Sequence, residues 1–164
     1  MHLQIFTTGG TIDKVYFDAK SEYEVGEPQV AEVLRTAGVT FDYAVESLLR
    51  KDSLDLTDDD RALIARRVAE APARRVVLTH GTDTMVETAQ VVAERLGPAP
   101  EKTVVLVGSL TPAMFRQTDA EFNIGFAVAA AQTLPPGVYV AMNGRVFLPG
   151  EVRKNRVANR FEPL

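Results

Sequence analysis

The sequence predicts an α/β domain with a central, mostly parallel sheet of about five strands and helices on both faces. Two observations carry that expectation. Short runs rich in β-branched and aromatic residues alternate along the chain with stretches of helical period, the pattern of helices packed on a parallel sheet. Four of the five candidate strands are dominated by β-branched or aromatic residues, as strands buried on both faces are. At 164 residues the chain is the size of one domain, taking roughly 150 residues per domain as the guide.

In chain order, residues 3–6 form the first candidate strand. Val30, Val33, Leu34 and Ala37 then share one helical face, with Pro28 suited to the first turn and Gly38 to the stop. Residues 41–45 follow as a second strand. Thr57 precedes Asp58, Asp59 and Asp60, an N-cap followed by carboxylates at the positive end of the helix dipole, and Ile64, Val68 and Ala71 give the buried stripe. Residues 76–79 are the third strand. Met85, Ala89, Val92 and Leu96 form the next stripe, which Gly97-Pro98 ends. Residues 103–107 make the fourth strand. Phe122, Phe126, Ala129 and Thr133 mark the last helix, broken by Pro135-Pro136-Gly137, and residues 138–142 close the set. Asn143-Gly144 between VYVAM and RVFL is a two-residue hairpin signal. From Glu151 the chain turns polar, with Arg153, Lys154, Arg156 and Arg160, and reads as a solvated or subunit-facing tail.

Composition narrows the function. A net charge of −4 gives no global attraction to phosphate backbones or anionic lipid, so neither nucleic acid nor membrane is an expected partner. With no cysteine there is no disulfide, thiolate metal site or thiol nucleophile, and His2 and His80 lack any metal-ligand spacing. The start, MHLQIFTTGG, has no basic segment leading an apolar one, and no apolar run reaches the ~18 residues of a membrane helix. The expected location is cytoplasmic.

In such sheets the ligand lies outside the carboxyl ends of the strands. Three segments there are unusual: Thr7-Thr8-Gly9-Gly10-Thr11-Ile12, His80-Gly81-Thr82-Asp83-Thr84 and Gly108-Ser109-Leu110-Thr111-Pro112. Two threonines, a carboxylate and backbone N–H donors around one pocket suit acyl transfer, in which a hydroxyl attacks a carbonyl and amides steady the oxyanion. A threonine hydroxyl needs a base. Tyr, Lys and Asp are the candidates, and a lysine desolvated beside the site, Lys154 or Lys14, fits the role. Each feature also has a bland reading: a Gly-Gly turn is usually only a turn, Asp83 could be a helix-start carboxylate, and Lys154 sits among other basic residues.

TTGGTIDK and LTHGTDTMVETA resemble the two signature segments of the bacterial-type L-asparaginase/glutaminase family, and the likeness continues through KTVVLVGSLTP, DAEFNIGFAVA and GVYVAMNGRVFLPGEVRK. The implied fold is a three-layer, Rossmann- or flavodoxin-like domain spanning 1–164, equivalent to the family's N-terminal catalytic domain, with the usual C-terminal domain absent. The resemblance implies hydrolysis of L-asparagine to L-aspartate and ammonia through a threonyl acyl-enzyme, without metal or organic cofactor.

Carried over by motif, Thr11 in GGTI matches the primary nucleophile and Tyr23 in YEVG the tyrosine of a mobile lid. Thr82 and Asp83 in HGTDT match the second threonine and the aspartate that holds the substrate amino group, and Lys154 in EVRK the lysine that joins them. Ser53 in KDSLDL matches the serine that binds the α-carboxylate; Gly10, Gly81 and Ser109 complete the expected substrate contacts, and His80 is taken as structural. Residues 13–23 are the expected lid.

The sequence departs from the family's pattern at Leu54, where a polar contact is common, and at Asp13, where a small residue is common. The acidic support that the missing domain would lend has Asp13 or Glu22 as candidate replacements. A homodimer or homotetramer is expected to cover the open mouth. The alternatives are hydrolysis of a related amide (glutamine, a D-asparaginyl group or a peptide amide), a non-catalytic amino-acid-binding module, and, on the basic tail alone, an RNA-contacting protein.

Overall fold

The computed structural model describes residues 2–164. Among these, six strands form one sheet in the order β4-β1-β5-β6-β7-β8. They are β1 (His2–Gly9), β4 (Asp42–Lys51), β5 (Arg75–Thr79), β6 (Thr103–Val107), β7 (Gly137–Met142) and β8 (Arg145–Phe147). All neighbours are parallel except the edge pair β7–β8, which the Asn143-Gly144 turn reverses, both residues at positive φ as a tight hairpin requires. The central strands read as buried on both faces: Leu3, Ile5, Val76, Val77, Leu78 and the whole of β6 are inaccessible or nearly so.

Four helices cover the sheet, α1 (Val30–Thr36), α2 (Asp58–Glu70), α3 (Met85–Leu96) and α4 (Ala120–Thr133). α1 packs with α4 and α2 with α3, one pair on each face. Because β1 to β4 steps across the sheet one way and β6 to β7 the other, two connecting helices on one face need crossovers of opposite hand. The α1, α2 and α3 crossovers share one hand and the α4 crossover has the other, an exception to the near-universal right-handed rule. The long segment after β6 therefore has to cross the mouth of the sheet to reach the α1 side, and Ala113 N–H donates to Ile12 O on the way.

Local chemistry explains most elements. Thr57 and Asp60 form a reciprocal capping box at the start of α2, whose Ile64, Ala65 and Val68 are buried. The expected stripes of α1 and α3 hold at Val30, Leu34, Met85, Ala89 and Val92. In α4 the expected face is the wrong one. Ala120, Asn123, Ile124, Ala127, Val128 and Ala131 are buried, whereas Phe122 is 62% exposed and stacks on Phe126, which is half-buried against the edge of the core. The helix is apolar nearly all round, so aromatic size did not mark its inner side. Asn123 is inside because its amide donates to Gly108 O (3.0 Å) and to Asp119 (2.8 Å).

Three other segments differ from expectation. β4 starts one residue later than the second candidate strand and runs on to Lys51, through charged residues that an edge strand tolerates. The segment expected as a lid folds as a hairpin, β2 (Lys14–Phe17) with β3 (Glu22–Val25), built on β-prone Val15, Tyr16, Phe17, Tyr23 and Val25. The tail is no solvated strand of charge. β9 (Val152–Asn155) pairs with β10 (Arg160–Pro163), burying Val152 and Phe161, and Phe161 N–H donates to Asn143 Oδ1.

Asp13, buried between the hairpin and α1, accepts a hydrogen bond from Gln29 N–H (2.9 Å), which anchors the start of α1. Burial pushes its carboxyl up to about 7, against the lowering influence of that N–H and of Arg50. The native state therefore holds a proton that the unfolded chain releases near its ordinary carboxylate value, and this group's contribution to stability falls as pH rises from about 4 to about 7. In urea unfolding at pH 5 and pH 8, Asp13→Asn should lose less stability than wild type between the two conditions, by about 2 kcal/mol. Equal losses would refute the assignment.

Candidate active site

Beyond the carboxyl ends of β1, β4 and β5, three turns meet through backbone too close for side chains. Gly10 has φ 85°, and a Cβ there would lie 2.4 Å from the Gly81 Cα. A Cβ on Gly81 would strike the Ser53 side chain at 2.6 Å, and one on Gly108 the His80 carbonyl at 2.3 Å. Gly10 N–H donates to Lys51 O, clamping the first turn to the end of β4. The two glycines seat Thr11, Ser53 and Thr82 on three abutting turns.

His80 supports this contact from below. It is fully buried, and since the Gly81 carbonyl can only accept, Nδ1 carries the hydrogen and donates to it (2.7 Å). Nε2 then accepts from Thr88 Oγ1 (2.8 Å). Burial pushes the imidazole down to about 4, more than its bond to Gly81 raises it, so the ring is neutral near pH 7. His80 holds the turn and faces no open space.

Above the turns, Lys154 reaches in from β9. Its Nζ donates to Thr82 Oγ1 at 2.7 Å and to Asp83 Oδ1 at 2.9 Å, with Thr82 buried. Arg156 Nε lies 3.5 Å from the same Asp83 oxygen. Lys14, the other candidate base, is committed to Asp52 (2.9 Å). Although burial pushes the Asp52 carboxyl up, Lys14, the Leu54 N–H and Lys154 together hold it below the usual carboxylate range.

Thr11 opens the 3-10 turn Thr11–Asp13, partly buried, and its hydroxyl has no hydrogen-bond partner among the described residues. The Ser53 hydroxyl likewise has none there, while its carbonyl accepts from Thr84 Oγ1 (2.8 Å). Ser109 is turned to its own loop, donating to Thr111 O (2.6 Å). That loop is held by Asp119, whose carboxylate accepts from the N–H groups of Leu110 and Thr111 (3.0 Å each). Tyr23 stands on the hairpin, 51% exposed, with its ring 5.4 Å from Tyr16 and 5.6 Å from Phe115. Of the candidate acidic replacements, Asp13 is engaged with α1 and Glu22 is exposed on β3.

Sequence reasoning passed over Arg156, Asp52 and Phe115. Charge at the mouth and the place of Phe115 depend on the β9 hairpin and the β6–α4 segment, which no local pattern announced. Asp119 and Asn123, four apart at a helix start, were a readable signal of a loop clasp.

The glycine contacts predict a graded effect on stability. Gly10→Ala meets both a φ that only glycine adopts freely and a neighbouring backbone, and should cost about 2–5 kcal/mol in chemical denaturation. Gly97→Ala, at φ 75° with open space around it, should cost only the backbone strain, about 1–2 kcal/mol. Equal costs would contradict the close approach.

The N-terminal asparaginase family model matches residues 2–162. The chain is 31% identical over 163 residues to the L-asparaginase of Thermococcus kodakarensis, an alignment covering 94% of this chain and 48% of that protein. It is also 31% identical to L-asparaginase 2 of Escherichia coli, over 96% of this chain and 47% of that one. The solved structure of the thermostable Thermococcus kodakarensis enzyme superposes with a TM-score of 0.85 at 29% identity, over the whole of this chain and 51% of its own. The chain thus spans about half the length of the relatives it matches. A match of the N-terminal asparaginase model over nearly every residue, with relatives 31% identical along the same length, places the chain in the asparaginase family, as its N-terminal domain.

Proposed function

We propose that this domain is an amidohydrolase that converts L-asparagine to L-aspartate and ammonia through a threonyl acyl-enzyme. One observation carries the reading: Lys154 Nζ touches both Thr82 Oγ1 and Asp83 Oδ1, joining residues more than seventy positions apart into one proton-handling set. A merely solvated lysine of the tail would not be buried against a threonine hydroxyl.

In this scheme Thr11 Oγ attacks the amide carbon while Tyr23, on the hairpin, closes over the substrate. The hydroxyl proton passes to the departing nitrogen, the C–N bond breaks, and ammonia leaves as the threonyl ester forms. Water, giving its proton to the Lys154–Thr82 pair, attacks the ester; the proton returns to Thr11 Oγ and aspartate is released. Ser53 holds the α-carboxylate, and the Gly10 and Gly81 turns let the backbone lie against the substrate. The scheme calls on no cofactor. Among the described residues, no cluster of three or more His, Asp or Glu side chains is placed to hold a metal ion, and no helix is long and apolar enough to cross a membrane.

The same reading includes a homodimer or homotetramer, because Tyr16, Tyr23, Met114 and Phe115 leave an exposed apolar rim at the mouth. Light scattering should show an oligomer at micromolar concentration, and a fully active monomer would overturn this part.

Thr11→Ala, Thr82→Ala and Lys154→Met should each lower ammonia release from L-asparagine by about 10²- to 10⁴-fold with unchanged circular dichroism. Wild-type rates in both threonine variants would show that the nucleophile has been misassigned. L-Glutamine run in parallel ranks the two amides.

A further inference from the structure

The sheet alone does not space the turns that carry Thr11 and Ser53. β1 and β4 pair in step as far as Thr7 and Ser47; β1 then advances to Gly9 while β4 advances to Lys51, so the ladder slips just before both turns begin. Past the slip, Gly10 N–H donates to Lys51 O at 2.9 Å. Gly81, against which both turns lie, sets how closely they approach. One hydrogen bond fixes where two turns meet, but not the angle between them.

Lys14 and Asp52 supply the second point. Lys14 closes the 3-10 turn that Thr11 opens, its N–H donating to Thr11 O. Asp52 caps the 3-10 turn that Ser53 opens, its Oδ1 accepting from Leu54 N–H at 3.1 Å. Lys14 Nζ meets the other carboxylate oxygen, Oδ2, at 2.9 Å. One carboxylate thereby caps one turn and holds the end of the other. The two side chains are 29% and 33% exposed, so solvent screens the pair only in part.

In the amidohydrolase reading above, on which this rests, Thr11 at the amide carbon and Ser53 at the α-carboxylate grip opposite ends of the substrate. The span between their turns is then the length of side chain that the site accepts, and L-asparagine and L-glutamine differ in that length by one methylene. We propose that the Lys14–Asp52 pair is a specificity-determining cross-tie that fixes the span between the Thr11 and Ser53 turns and so selects L-asparagine over L-glutamine. Both are positioning residues, acting through Thr11 and Ser53.

The test is the ratio of kcat/KM for L-asparagine to that for L-glutamine, in the full chain and in Lys14→Met, Asp52→Asn, the double variant and Lys14→Arg. Asp52→Asn keeps an oxygen for Leu54 N–H and gives up only the charge. Wild type should favour L-asparagine. Each single variant should shrink the ratio by about five-fold, the upper end for a partly exposed ion pair. The double variant should shrink it by the same factor and not by its square, because both changes break one contact. Lys14→Arg should stay within about two-fold of wild type. A structural role alone would lower both substrates together. Such an equal fall, an unchanged ratio in the single variants, or a wild type that does not favour L-asparagine overturns the inference and leaves amide hydrolysis standing. If neither amide releases ammonia, the amidohydrolase reading fails, and calorimetry with L-aspartate and L-glutamate decides the inference: a wild-type preference for L-aspartate that Lys14→Met shrinks about five-fold supports it, and an unchanged preference, or binding of neither, overturns it.

Discussion

The contact of Gly10 on Gly81, and of Gly81 on Ser53, is the constraint on which the rest of the site depends. Three strand-end turns can lie in backbone contact only where no Cβ stands between them. Removing Cβ at two positions allows that, and the entropy cost of glycine is met by anchors on every side. Lys51 holds the Gly10 turn, His80 holds the Gly81 carbonyl, and Thr84 holds Ser53. The histidine serves by being neutral. A charged imidazole could donate to Gly81 but could no longer accept from Thr88, and its burial would go uncompensated.

Charge at the mouth is shared between side chains from distant segments. Lys154 is a β9 residue, so its place over Thr82 is set by the hairpin it belongs to, and that hairpin is pinned by buried Phe161 and by Asn143 at the β7–β8 turn. The turn that ends the sheet thereby orients a residue of the site. On the other side, Asp119 and Asn123 gather the loop after β6, so that the segment crossing to α4 leaves Gly108 flat against His80.

Much of this was legible in the sequence, and the rest was not, for identifiable reasons. Strands buried on both faces announce themselves by apolar runs, and Thr57 with Asp60 announces a helix start. The Gly-Gly-Thr and Gly-Thr-Asp turns, with the family resemblance, located Thr11, Thr82 and Asp83. Periodicity failed in α4 because an apolar helix has no polar face to read, and a polar residue, Asn123, marked the inside. Composition misled in the tail, where charge suggested solvent but two isolated apolar residues, Val152 and Phe161, were enough to dock a hairpin. Pairing of Arg156 with Asp83 lay beyond any local pattern, since it joins segments that meet only once the hairpin is docked.

The order of the strands also bears on how the chain reaches this state. β1 lies between β4 and β5, so one edge of this strand stays unpaired until β4 has been made and the other until the chain has been made as far as Thr79. Parallel pairing at that sequence separation is slow, because loop closure must precede any reward from contact. The nascent domain therefore passes through a period in which an apolar strand and its glycine turn are exposed, and during synthesis its safety rests on how soon β5 arrives.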